Sequence, residues 1–208
     1  MKEIRSRLLH LGCGLCAPEN WVNVDASWNA WLSQRPLLMR LVKILSLAPR
    51  AQLEIKWPKN ILICDVRKPL PFNDGSFDAV YASHLLEHLH LSDAQKLLLE
   101  CNRVLRANGV CRIVVPDLES LINEYLNNSK NEPKNAAELL MKSLNMHPFK
   151  NQEAGLLYSI MSIKTGFHSH KFMYDKNCLK GLMEEAVFLD CRIKTCLESI
   201  IPEILIRT

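Results

Sequence analysis

The first 25 residues constrain this chain more than any other stretch. Leu-Leu-His-Leu-Gly-Cys-Gly (8–14) is followed almost at once by Trp-Val-Asn-Val-Asp (21–25). Leu8 to Leu11 reads as a short apolar strand, with Gly12 and Gly14 permitting a tight turn at its carboxyl end. Val22 to Val24 reads as a second strand, ending on a carboxylate, Asp25. Only ten residues separate Gly14 from Asp25, so the helix usual between two such strands must shrink to a turn. In an open parallel α/β sheet, ligands bind beyond the carboxyl ends of the strands. A glycine turn there lets backbone N–H groups come close to a ligand. An acid ending the next strand can accept hydrogen bonds from both hydroxyls of a ribose. Together they point to a nucleoside-containing ligand.

A chain of 208 residues with 48% hydrophobic content can bury one sizeable core, so residues 1–208 are expected to form a single domain. The 23% of charged residues excludes disorder, and a net charge of +4 without a localised patch gives no reason to expect a nucleic-acid partner. Residues 1–7 are polar and basic and the apolar run after them is short, so no secretory signal is expected. The eight cysteines sit mostly inside apolar runs, as Cys64 and Cys111 do, which fits free thiols in a cytosolic protein.

Residues 26–59 place Trp28, Trp31, Leu32, Leu37, Leu38, Leu41, Ile44 and Leu45 at roughly helical spacing, punctuated by Pro36 and Pro49. This stretch is basic: Arg35, Arg40, Lys43, Arg50, Lys56 and Lys59 face one acid, Glu54. An amphipathic helix packed on the sheet is the first reading; a lid over an acceptor pocket and a membrane-surface contact are the others. Ile61 to Cys64 reads as a third strand before Asp65, and Phe77 to Ala82 as a fourth, with a helix beginning in HLLEHLH. Residues 93–107 show the clearest helix, with Ser92 and Gln95 as a capping box and Asn108-Gly109 as the stop. Val110 to Val115 reads as a strand buried on both faces. Helices are expected over 118–165, broken near Pro133 and Pro148, and over Asp175 to Ala186. Val187 to Ile193 and Ile204 to Ile206 are expected as final strands. This alternation gives an α/β domain with a mostly parallel sheet.

Four segments in order, LLHLGCG, WVNVD, CDVRKPLPFNDGSFDAVYASHLLEHL and ECNRVLRANGVCRIVVPD, resemble the class I S-adenosylmethionine-dependent methyltransferases, most closely the small predicted bacterial ones. The resemblance covers nearly the whole length. It implies a Rossmann-like, mostly parallel seven-stranded sheet with helices on both faces, here with a truncated first helix and a helical insertion (118–174) after strand five. It implies S-adenosyl-L-methionine as cofactor and S-adenosyl-L-homocysteine as product. Gly12, Cys13 and Gly14 would then cradle the methionine part and Asp25 the ribose hydroxyls. Asp65 would accept from the adenine amine, with Val66 beside the ring, and Ser83 and His84 would face the transfer site. His10 stands where the class has an acid; an imidazole there can hydrogen-bond the methionine carboxylate or amine.

The spacing disfavours a nicotinamide site, which wants G-x-G-x-x-G, a full helix and an acid roughly 20 residues on, whereas Ala17 stands at the third glycine position. His84-Leu-Leu-Glu87-His88 also matches the H-x-x-E-H pattern of zinc hydrolases. Its place directly after strand four favours the methyltransferase reading, under which no stoichiometric zinc is expected. Cys13-Gly-Leu-Cys16 lacks a partner pair and reads as part of the glycine turn. The acceptor is expected to be a small molecule or glycan, methylated at a hydroxyl. His84 is the first choice for base, with His88 and His170 behind it and Glu87 holding the turn or the histidine ring. A cofactor-binding but catalytically silent partner subunit is the alternative.

Overall fold

The computed structural model describes residues 7–144, 169–194, 198, 199 and 201. Five parallel strands, β1 (Leu8–Leu11), β2 (Trp21–Asp25), β3 (Ile61–Ile63), β4 (Phe77–Ser83) and β5 (Leu105–Val114), form one sheet in the order β3-β2-β1-β4-β5. Leu8 to Leu11 pairs with Trp21 to Val24 on one side and with Ala79 to Ala82 on the other. The chain thus winds outward from β1 through β2 to β3, then returns to lay β4 on the opposite side of β1. This reversal is the topological switch point at which open α/β sheets bind ligands.

The pleat sorts the strand residues onto two faces. Leu9, Leu11, Val24, Val80 and Ala82 pack with helix α4 (Leu91–Val104), through Ala94, Leu97, Leu98, Cys101 and Val104, and with Leu182 of α7 (Lys176–Glu185). Leu8, Trp21, Ala79 and Tyr81 face the other way and close on Ile201. Between β2 and β3 lie α1 (Trp28–Ser33), α2 (Pro36–Ile44) and α3 (Arg50–Leu53). Pro36 opens α2 and Pro49 caps α3, positions at which a missing N–H costs nothing. These helices have their own small core of Leu32, Val42, Ala48 and Leu53, with Trp28 stacked on Trp31 at 4.9 Å between centroids. After β5 come α5 (Leu118–Asn131) and α6 (Ala136–Ser143), so the expected break near Pro133 is present, whereas Pro148 lies outside the described residues. No helix among the described residues is long and apolar enough to cross a membrane.

Several expectations need correction. The described residues give five strands, not seven. Val187 to Ile193 is irregular, because Val187 adopts a left-handed backbone (φ 66°) and Phe188 N–H bonds back to Met183 O at 3.0 Å, closing the end of α7. Ile204 to Ile206 lies outside the described residues. The helix expected over 93–107 runs from Leu91 to Val104 with His90 as N-cap, so Ser92 lies inside its first turn. Asn108-Gly109 does not end that helix. It forms a bulge in β5, where pairing jumps from Phe77↔Leu105 to Ala79↔Val110. A Cβ at Gly109 would lie 2.9 Å from Arg106 O, which explains the glycine. β5 is half-buried where burial on both faces was expected, since it is the sheet's edge among the described residues.

Candidate functional site

At the switch point the loops after β1 and β4 touch. Gly12 has φ 65°, and a Cβ built on it would approach Leu85 Cδ1 to 3.0 Å. Gly14 has φ 54°, yet a Cβ there would meet nothing within 4 Å. Gly12 is therefore demanded by packing as well as by backbone, whereas Gly14 borders open space. No helix intervenes before β2; Cys16 N–H closes a turn on Cys13 O at 2.9 Å. Cys13 is buried, its thiol pushed up to about 12 first by burial and then by Asp25, while Cys16 is exposed. The C-x-x-C pair is thus a turn with one thiol inside and one outside.

Asp25, almost fully buried, fastens this turn: Oδ2 accepts from Gly14 N–H at 2.9 Å and Oδ1 from Ser27 N–H at 2.7 Å. Its backbone carbonyl accepts from Cys64 N–H at 3.1 Å, bringing Asp65 beside it. Arg67 grips Asp65 through Nε and Nη2, both at 2.8 Å, and the guanidinium holds that carboxyl below its ordinary range. Nothing in the motif search singled out Arg67; only the two-residue Asp-Val-Arg spacing hinted at it. Val66 is buried in the main core. His10 lies under the turn, buried between Trp21 and Tyr81, and its Nδ1 has no hydrogen-bond partner among the described residues.

Ser83 ends β4, and His84 follows with φ 51°, rare for a side-chain-bearing residue, its N–H bonded to Val114 O at 3.0 Å. Its exposed ring lies with Nδ1 3.2 Å from Oε1 of the fully buried Glu87, an interaction that raises the histidine's pKa. The expected helix in HLLEHLH is instead a single 3-10 turn, Leu86–His88. His88 Nδ1 lies 3.3 Å from Ser169 O, and the rings of His88 and His170 sit 5.0 Å apart. The structure therefore sets Gly12, Cys13, Gly14, Asp25, Asp65 and Val66 at or just beyond the carboxyl ends of β1, β2 and β3, and Ser83, His84 and His88 at and after the end of β4, with His170 against His88.

Residues 45–113 match the family model described as a methyltransferase domain. Over these residues the chain is similar to methyltransferase domains. The match spans β3 to β5 and includes Asp65, Ser83, His84 and His88, leaving the glycine turn outside it. Among curated proteins none matches the sequence. Similar solved structures include a SAM-dependent methyltransferase from Archaeoglobus fulgidus, 22% identical over 90% of this chain and 63% of that chain, with a TM-score of 0.48. Another, described as a possible histamine N-methyltransferase from Thermotoga maritima, is 18% identical over 87% of this chain and 63% of that one, with a TM-score of 0.44. A third, a SAM-dependent methyltransferase from Methanosarcina mazei, is 16% identical over 87% and 78%, also with a TM-score of 0.44. The chain thus spans 63% of the length of the first two. With TM-scores below 0.5, none of the three identifies its acceptor.

Proposed function

We propose that this chain transfers a methyl group from S-adenosylmethionine to a hydroxyl of a small molecule or glycan. The observation that carries the reading is the open, left-handed Gly14 fastened to Asp25 at the switch point, with His84 just beyond the end of β4. The residues present fit such a cofactor. Space is free above Gly14, and each Asp25 oxygen has accepted one backbone N–H and retains lone-pair capacity for a ribose hydroxyl. Asp65, oriented by Arg67, retains the same capacity toward an adenine amine. When bound, the cofactor supplies an electrophilic methyl group, and the protein's share is alignment. With Nδ1–H directed at Glu87, the Nε2 of His84 is left as an acceptor for the substrate hydroxyl's proton.

Calorimetry with S-adenosylhomocysteine tests the binding half. One molecule per chain is expected to bind, and Gly14→Ala, while folded, to bind about tenfold or more weakly, a change near 1.4 kcal/mol. No heat with the unaltered protein overturns the reading. Transfer of labelled methyl to a panel of hydroxylated metabolites and glycans tests the rest. Binding without transfer to any acceptor points instead to a silent partner subunit. A His84→Ala variant that binds normally and keeps its full rate removes His84 as base.

A further inference from the structure

Beside His84 lies a cluster of side chains whose remaining donor atoms the cofactor reading does not use. Glu87, on the 3-10 turn beyond β4, is completely buried, and its Oε2 has no hydrogen-bond partner among the described residues. His170 Nδ1 is buried and unpartnered in the same sense. One donor atom from each of Glu87, His88 and His170 lies within 4.8 Å of the other two. Burying an idle carboxylate oxygen is strongly unfavourable unless a cation or donors meet it.

The scaffold holds these donors in place. Glu87 O accepts from Lys171 N–H at 2.7 Å and Phe172 N–H at 3.3 Å, tying the strap that carries His170 onto the turn. Tyr174 anchors the same strap by bridging Asp117 and reaching Leu86 O at 3.4 Å. His88 points Nδ1–H at Ser169 O, which leaves Nε2 as its ligating nitrogen, and His84 supports Glu87 through Oε1, which leaves Oε2. A backbone carbonyl behind an imidazole and a donor behind a carboxylate are the outer supports that metal ligands use.

We propose that Glu87, His88 and His170 bind one divalent transition-metal ion. Two imidazoles and one carboxylate suit zinc, cobalt or nickel rather than the all-oxygen cages of calcium or magnesium. Three protein ligands leave a coordination position open. If the methyl-transfer reading holds, on which this one step rests, that position, beside His84 beyond the end of β4, would hold and acidify the acceptor hydroxyl. The H-x-x-E-H pattern pairs His84 and His88 as ligands. The fold sets His84 behind Glu87 and substitutes His170, a partner that sequence spacing does not reveal.

The test uses untagged full-length protein, stripped by chelator and titrated with Co2+ and then Zn2+. One Co2+ per chain is expected, with visible absorption bands that Zn2+ displaces. Glu87→Gln and His170→Ala are each expected to weaken binding about tenfold to a hundredfold or more, while Cys13→Ser/Cys16→Ser leaves it unchanged. Absence of Co2+ binding overturns the proposal, as does loss in the cysteine variant with retention in His170→Ala. Circular dichroism and urea midpoints check that the variants are folded. Should His170→Ala not fold, pulsed electron resonance of the Cu2+-loaded unaltered protein decides: two coupled imidazoles support the site, and fewer overturn it. Metal binding without S-adenosylhomocysteine binding would sink the methyl-transfer reading and leave this site standing.

Discussion

The imidazole of His10 packs 5.1 Å from the Tyr81 ring and 6.0 Å from Trp21 between centroids, with 3% of its surface exposed. Burial drives its pKa from 6.5 down to about 4, against the smaller opposing pull of Asp25 and of a backbone contact with Cys16. In the unfolded chain the group titrates near its ordinary value. Between pH 6.5 and 4 the unfolded state therefore binds the proton that the folded state refuses, and stability falls as pH falls. The stability is fully present above about 6.5, and its loss approaches 1.4 kcal/mol per pH unit inside the window. Urea denaturation at pH 7 and pH 5 should show the unaltered protein losing about 2 kcal/mol more than His10→Leu. Equal losses would show that His10 is not held neutral. The residue's position before the glycines is plain in the sequence. Its aromatic surroundings are not, because Trp21 and Tyr81 come from two other strands that only the sheet order brings together.

At the scale of elements, the loop after Asp65 is positioned by α4. Arg103, in the last turn of that helix, donates to Phe72 O at 2.8 Å, Leu70 O at 3.1 Å and Asp74 Oδ1 at 2.6 Å, and is itself held by Glu100 at 2.7 and 2.8 Å. Glu100 Oε2 accepts from Leu70 N–H at 2.7 Å, and Gly75 N–H bonds to Arg103 O at 2.9 Å. One guanidinium thus spans two carbonyls and two carboxylates, which an ammonium at the same place cannot match. Arg103→Met leaves the carbonyls short of a donor and Glu100 without its cation, at a cost of about 2 kcal/mol, discounted for the partial exposure of the group. Arg103→Lys is expected to recover less than half of that loss, as read from urea midpoints at unchanged slope. The helical stripe of Leu98, Cys101 and Val104 made α4 legible, but its ends were not. Its N-terminus has no side-chain cap, and the chain passes from Val104 directly into β5, so the Asn-Gly signal served a bulge. The clamp was illegible too, since three of its five acceptors, Leu70 O, Phe72 O and Asp74 Oδ1, lie on a loop 29 to 33 residues away in the chain.

The molecule as a whole has a main core around β1, β4 and α4 and a separate one inside α1–α3. The glycine turn, both aspartates and the first four strands were readable because each rests on a local pattern. What the pattern could not show was that residues 28–53 bury Leu32, Val42, Ala48 and Leu53 largely against one another. Composition alone does not say which apolar face is covered, and Leu37, Leu41, Ile44 and Leu45 remain exposed beside Arg40 and Lys43. The unit is fastened to the sheet edge at β3, where Gln34 Nε2 donates to Ile61 O at 2.7 Å. A small core joined at an edge opens without the sheet opening, so amides of α1–α3 should exchange with solvent well before those of β1 and β4. Leu32→Ala removes a completely buried side chain from that core, at about 3 kcal/mol. Hydrogen exchange should then accelerate by about a hundredfold across residues 28–53, each 1.4 kcal/mol being worth a factor of ten. Protection in β1 and β4 should change little. Equal acceleration throughout would mean that the two cores melt as one, and that the basic helices are part of the sheet's own cooperative unit.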